Sequence, residues 1–115
     1  MTDRELLENA AKAAGIRLRR YEAETANITA YFVIEVTKDT HGDIWNPLTD
    51  DGDALRLAVK LQLEPRFLDM DHPAGPPRVT FHNVPGLIVF VREDPYAATR
   101  RAIVRAAAEI GRNMP

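Results

Sequence analysis

The chain has 115 residues, enough for one hydrophobic core, and we expect a single domain over residues 1–115. Hydrophobic residues make up 45% and charged residues 28% of it, which argues against disorder. The formal net charge of -2 is not the basic excess of a dedicated nucleic-acid binder. Because there is no cysteine, disulfides, thiolate metal sites and cysteine nucleophiles are excluded.

The sequence shows neither a signal peptide at its N-terminus nor an apolar run of the roughly 18 residues that span a bilayer. We therefore expect a cytoplasmic protein that makes no use of a membrane. The chain also lacks serine, a glycine-rich phosphate loop and a nucleophile elbow. These absences favour a protein that is not an enzyme and needs no cofactor.

The first third of the chain predicts one helix and two strands. Thr2-Asp3-Arg4-Glu5 has the form of a capping box and predicts a helix over 3–14, with Gly15 as the residue that ends it. Residues 16–21 alternate apolar and basic side chains, as a half-solvated strand does. Residues 28–37 are rich in β-branched and aromatic side chains on both faces, which predicts a strand covered on both sides.

The most distinctive stretch is residues 45–61. Residues 38–47 are expected to form a loop. A helix then begins near Asp50 and runs to Leu61, with acidic side chains where the helix dipole is positive. Its apolar residues cover more than half of the circumference, so we expect it to be largely buried and to be the principal packing element.

The last third predicts a short strand, a hairpin and a helix. The short strand lies within 64–70, and the hairpin joins 78–82 to 87–92 around a Pro-Gly turn. Asp94-Pro95 starts the final helix, and Gly111 is expected to end it. Its buried face is predicted to hold Tyr96, Ile103, Ala107, Ile110 and Met114.

The order of elements is therefore α-β-β-α-β-β-β-α. Strands that follow one another along the chain favour an α+β domain with a mostly antiparallel sheet and helices packed on it. Apolar groups on both faces of the strand at 28–37 favour an α/β/α sandwich. A two-layer arrangement with all helices on one face is the alternative.

A cluster of acidic residues raises the question of a metal site. Asp43, Asp50, Asp51 and Asp53, with His41 nearby, could offer oxygen and nitrogen ligands to a cation. The spacing is not that of a calcium-binding loop, and no glutamate stands at the required offset. The favoured interpretation is that the aspartates cap the helix and complement its dipole.

Two further features could contact a ligand or a partner. Trp45, the only tryptophan, suits either a lid on the core or a platform for a ligand, and packing is favoured. Arg101, Arg105 and Arg112 form an arginine stripe along the last helix that could meet phosphates. The alternative for the stripe is a solvated face balanced by acids elsewhere.

Residues 45–61, Trp-Asn-Pro-Leu-Thr-Asp-Asp-Gly-Asp-Ala-Leu-Arg-Leu-Ala-Val-Lys-Leu, resemble a run in small phage and prophage proteins grouped as the phage αβα (ABA) sandwich domain family. The surrounding order of helices and strands is also similar. The resemblance implies a sandwich fold and a phage or prophage protein of unassigned function in the cytoplasm of a bacterial host. It implies no catalytic or binding residues.

Three functional hypotheses follow. The first is a non-enzymatic accessory module that binds a protein partner or self-associates. The second is a metal-dependent enzyme or binder that uses the acidic cluster. The third is a nucleic-acid binder that uses the arginine stripe, although the net charge makes this the weakest of the three.

Overall fold

The computed structural model of the chain describes residues 1–21, 31–35, 41–71 and 75–115. The fold belongs to the α+β class, as the sequence predicts, and the described residues form three helices packed on two antiparallel sheets of three strands each. The helices are α1 (Asp3–Ala14), α2 (Asp51–Leu61) and α3 (Pro95–Arg112). The strands are β1 (Leu18–Tyr21), β2 (Tyr31–Glu35), β3 (His41–Ile44), β4 (Pro65–Leu68), β5 (Arg78–Phe81) and β6 (Ile88–Phe90).

Each helix begins at the side chain that the sequence predicts as its cap. Thr2, Asp50 and Asp94 each accept a hydrogen bond from a backbone N–H in the first turn of the following helix. These N–H groups have no partner within the helix, so each cap removes an unsatisfied donor. Gly15 ends α1 with a φ of 71°, in the left-handed region that glycine adopts without a steric penalty.

The first sheet has the order β1-β2-β3 and corrects one prediction. The loop expected over 38–47 contains β3, which pairs antiparallel with β2 through Val33 and Ile44. The register shifts between Val33 and Glu35, so the pairing contains a bulge. Phe32 and Val33 point to opposite faces of β2 and are both buried, which confirms cover on both faces in the described part of that strand. The remainder of the predicted strand, 28–30 and 36–37, lies outside the described residues.

The second sheet has the order β4-β5-β6 and confirms the predicted short strand and hairpin. Gly86 in the hairpin connection has a φ of 83°, as the third position of a type II turn requires. The strands thus form two separate sheets, whereas the sequence led us to expect one. Val79 and Val89, which pair across β5 and β6, are both buried.

The centre of the packing is α3, which corrects the expectation that α2 would hold this place. The helix α3 contacts α1, α2 and all three strands of the second sheet. Its buried residues are mostly small ones: Ala102, Ile103, Val104, Ala106, Ala107, Ala108 and Gly111. On α2, by contrast, Leu55 and Val59 are 64% and 68% exposed. The apolar surface of α2 is wider than its contact with the core, so one side of this helix stays in solvent.

Both ends of α3 also differ from the prediction. Tyr96 and Met114, which the periodicity placed on the buried face, are exposed. Gly111 does not end the helix but lies within its last turn, directly against the backbone of α1 at Asn9. A helix can approach another this closely only where a side chain is missing, so this glycine serves the packing. In the described part of the chain, no helix has the length and apolar content needed to cross a membrane.

Candidate functional site

An open groove lies between α2, β4 and the N-terminal half of α3, and we call it the α2–α3 groove. Its volume is about 490 Å³. Its lining residues are Asp51, Ala54, Leu55, Phe67, Met70, Pro95, Tyr96, Thr99, Arg100 and Ile103. Ala54 and Ile103 are buried, so the groove opens directly onto the hydrophobic core.

Three large apolar side chains around this groove are left in solvent. Leu55 on α2 is 64% exposed, Phe67 on β4 is 53% exposed and Tyr96 on α3 is 71% exposed. Each comes from a different element, so the fold itself brings them together. Val59, one turn beyond Leu55 on α2, extends the same apolar surface. Exposed apolar side chains that lie close together in a folded protein are candidates for an interaction surface.

One charged pair fixes the rim of the groove. The Arg100 guanidinium donates to an Asp51 carboxylate oxygen at 2.7 Å and to the Leu48 carbonyl at 2.9 Å. Because the Arg100 side chain is only 17% exposed, the pair holds the start of α2 against α3. The groove is therefore shaped before any ligand arrives, which lowers the entropy lost on binding.

The acidic cluster is largely used within the fold. Asp50 caps α2, accepting from the Asp53 N–H at 2.8 Å. Asp53 is buried and bridges two segments: one carboxylate oxygen accepts from the Asn46 N–H at 3.0 Å, and the other accepts from the Arg56 guanidinium at 2.8 Å. This hydrogen bond with Asp53 raises the pKa of Arg56 above its ordinary value. The predicted capping role is therefore confirmed for Asp50, whereas Asp53 instead bridges Asn46 and Arg56.

The candidate metal ligands do not converge in the part of the chain that the structure describes. Asp43 shares an open cavity with Asp50 and Asp53, but the Arg56 guanidinium lies in the same cavity and supplies the positive charge. Asp51 is turned away to Arg100. The side chain of His41 lies outside the described residues. Among the residues described, no group of three or more acidic or histidine side chains is arranged to hold a metal ion.

The structure buries Trp45, which is 3% exposed and belongs to the hydrophobic core. Its backbone N–H donates to the Phe32 carbonyl at 2.8 Å and so joins the end of β3 to β2. The next residue, Asn46, holds the turn into α2 by accepting from the Leu48 N–H at 3.0 Å. Trp45 therefore packs inside the protein and presents no platform to a ligand.

The structure does bring the arginine stripe together. Arg101, Arg105 and Arg112 line one open cavity beside α1. They lie within ~40° of each other around α3, at ~100° per residue. Arg101 pairs with Asp3 at 2.9 Å and Arg112 approaches Glu109 at 3.9 Å. Arg105 is exposed and has no ion pair with any residue that the structure describes.

Sequence reasoning did not propose the apolar residues around the α2–α3 groove as a site. It assigned Leu55 to the buried surface of α2 and Tyr96 to the buried face of α3. One signal was available: the apolar residues of α2 cover a wider arc than a single contact with the core requires. Nothing in the sequence placed Phe67 beside them, because that proximity arises from the tertiary fold.

Comparison with known protein families, curated proteins and solved structures finds no match. The resemblance of residues 45–61 to the phage family therefore stays a prediction.

Asp53→Ala should lower the free energy of unfolding by about 1–3 kcal/mol, because it leaves the half-buried Asn46 N–H without an acceptor. Asp43→Ala is the matched control. It removes an exposed aspartate of β3 that has no hydrogen bond or ion pair with a described residue, and the expected change is within about 0.5 kcal/mol. Urea unfolding followed by circular dichroism measures both. Equal losses for the two variants would contradict a bridging role for Asp53.

Proposed function

We propose that this protein is a non-enzymatic accessory module of phage or prophage type that acts by binding a protein chain through the α2–α3 groove. The observation that carries the proposal is the group of Leu55, Phe67 and Tyr96, three exposed apolar side chains from three elements around one groove. The phage or prophage context rests on the resemblance of residues 45–61. We favour a second copy of this chain as the occupant.

The energetic reason is the burial of apolar surface. Fully burying one large apolar side chain contributes about 1.5–3 kcal/mol. Aromatic residues in the centre of an interface commonly dominate its binding free energy, and the groove offers both a phenylalanine and a tyrosine. The buried floor at Ala54 and Ile103 gives a partner side chain an apolar surface to pack against.

The charge distribution of α2 favours a second copy. Leu55 and Val59 lie one turn apart on its exposed side, with Asp50 and Asp51 at the N-terminal end and Lys60 at the C-terminal end. Two such helices packed antiparallel about a twofold axis would place the acidic end of each near the basic end of the other. The helix dipoles would also be opposed, and the interface would be self-complementary.

Leu55→Asp is expected to weaken self-association at least about tenfold, which corresponds to about 1.4 kcal/mol. The reason is that it places a charge at the centre of the apolar surface. Sedimentation velocity over a wide range of protein concentration measures the effect. Ile44→Asp is the matched control, since Ile44 is similarly exposed on β3 but does not line the groove.

Three outcomes are distinguishable. A concentration-dependent dimer that only Leu55→Asp weakens supports the proposal. A wild-type protein that stays monomeric at all concentrations contradicts self-association. In that case a photocrosslinking amino acid at position 55, compared with one at position 44, tests for a different protein partner in the producing cells. No crosslink specific to position 55 would overturn the binding function as well.

A further inference from the structure

A second surface, on the opposite side of the second sheet from β4, has the features of a peptide-binding edge. The strand β6 is at the end of the order β4-β5-β6, and no strand among the described residues pairs with its outer side. An unpaired edge presents backbone donors and acceptors that another extended chain can use. We call this surface the β6 edge.

The register shows which backbone groups point outward. Val91 donates to the Pro77 carbonyl, and Val79 is paired with Val89. In an antiparallel pair, hydrogen-bonded and non-hydrogen-bonded positions alternate, so Val89 bonds inward to β5. The N–H and C=O groups of Ile88 and Phe90 therefore point away from the sheet. They are spaced as an added antiparallel strand requires.

The β6 edge is also one wall of a groove of about 670 Å³ whose other wall is the N-terminal half of α3. Ala97 and Ala98 on α3 are small and leave room beside the strand. Ile88 and Phe90 are 43% and 53% exposed on the outer face of the sheet. An added strand would thus find space for side chains on one face and apolar contacts on the other.

The charge of the groove identifies the kind of strand that fits. Arg101 and Arg105 line it on α3, one turn apart, and Arg92 lies at its end. One nitrogen of the Arg101 guanidinium already pairs with Asp3, and its other donors are not used in that pair. Arg105 has no ion pair with a described residue and is exposed, so its charge is available to a ligand. Of the two acids in the lining, Asp94 already caps α3. Carboxylate side chains that enter this groove would meet guanidinium donors suited to bind them.

We propose that the β6 edge binds an extended, acidic segment of a partner protein, which pairs with Ile88 and Phe90 as a fourth strand of the second sheet and places carboxylates against Arg101 and Arg105. This is β-strand addition, in which main-chain hydrogen bonds supply affinity and side-chain contacts supply specificity. The site is separate from the α2–α3 groove, and the inference does not depend on the proposed self-association.

The test uses the full chain and a fluorescein-labelled peptide of alternating glutamate and valine. Two matched peptides accompany it: one with lysine in place of glutamate, and the acidic peptide with alternate backbone nitrogens methylated. Fluorescence anisotropy is expected to show binding of the acidic peptide that weakens with salt. We expect the lysine peptide and the methylated peptide each to bind at least about tenfold more weakly.

Three variants locate the site. Arg105→Ala should weaken binding of the acidic peptide severalfold without changing the circular dichroism spectrum, because Arg105 is exposed. Phe90→Pro removes the outward N–H, and Phe90→Ala keeps it. Proline is tolerated at sheet edges. Phe90→Pro should therefore abolish binding, whereas Phe90→Ala should only reduce it. If Phe90→Pro fails to fold, the methylated peptide still tests the backbone pairing.

Several results would overturn the inference. Equal binding of the methylated peptide would mean a purely electrostatic contact. Tighter, Arg105-dependent binding of oligothymidine would reassign the groove to single-stranded nucleic acid. A change in sedimentation with Phe90→Pro in the absence of peptide would assign the edge to a second copy. Loss of peptide binding in Leu55→Asp would place the peptide in the α2–α3 groove instead.

Discussion

Gly111→Ala is expected to destabilise the fold by at least about 3 kcal/mol, at the upper end of the range for overpacked positions. A Cβ atom built on Gly111 would lie 1.8 Å from the Asn9 carbonyl oxygen and 3.2 Å from the Ala13 backbone nitrogen. Both neighbours are backbone atoms of α1, so no side chain can rotate to make room. The methyl group would push apart α1 and α3, which pack closely along most of α1.

Gly52→Ala is the control, since it makes the same substitution in α2. There the new Cβ would meet the Arg56 guanidinium and the Asp50 carboxylate, which are ends of flexible, exposed side chains. Alanine is also the better helix former by up to about 1 kcal/mol. We expect a change within about 1 kcal/mol of the wild type. Urea unfolding measures both variants, and a small effect at Gly111 would contradict the close approach of α1 and α3.

The local features of the fold follow from the sequence because they depend on neighbouring residues. The caps at Thr2, Asp50 and Asp94 need only an oxygen placed two or three residues before a free N–H. The hairpin around Gly86 needs only a residue that accepts a positive φ. Such signals are complete within a few residues, so they can be read without knowledge of the tertiary structure.

The strand β3 was missed for the opposite reason. His41-Gly42-Asp43-Ile44 contains a glycine and an aspartate, both depleted in strands, and has little intrinsic preference for the extended form. It forms a strand because β2 provides a partner, even though the register shifts within the pairing. The backbone hydrogen bonds of this pairing leave no mark on the pattern of side chains in β3.

The sequence led us to expect α2 at the centre of the packing, where the structure has α3, and this difference has a related cause. Hydrophobic periodicity gives weight to leucine and valine, which dominate α2, and little weight to alanine. Yet small residues let helices approach closely, and α3 buries Ala102, Ala106, Ala107 and Ala108 completely. The exposed apolar side of α2 then became the wall of the α2–α3 groove. Because the sequence led us to expect α2 to be buried, it did not indicate a candidate site on this helix.

Trp45→Ala should lower the free energy of unfolding by about 3–5 kcal/mol, the usual range when a large buried aromatic side chain is removed. The indole belongs to the core cluster with Phe32 and Leu57, and Trp45 stands where β3 leads into α2. Its removal would leave a cavity between the first sheet and the rest of the core. Since total stabilities of small domains are about 5–15 kcal/mol, a loss of this size approaches complete unfolding.

The test separates a packing residue from a ligand platform. Trp45→Phe should recover most of the free energy of unfolding, because phenylalanine refills much of the volume of the indole. If Trp45 were instead a stacking platform for a ligand, the free energy of unfolding would not depend on the volume of its side chain. Tyr96→Ala removes an aromatic that is 71% exposed and should change the free energy of unfolding by about 0.5 kcal/mol or less. Circular dichroism follows all three variants, since tryptophan fluorescence is lost in two of them. A Trp45→Ala protein as stable as Tyr96→Ala would contradict the buried position of the indole and reopen the case for a ligand site at residues 45–61.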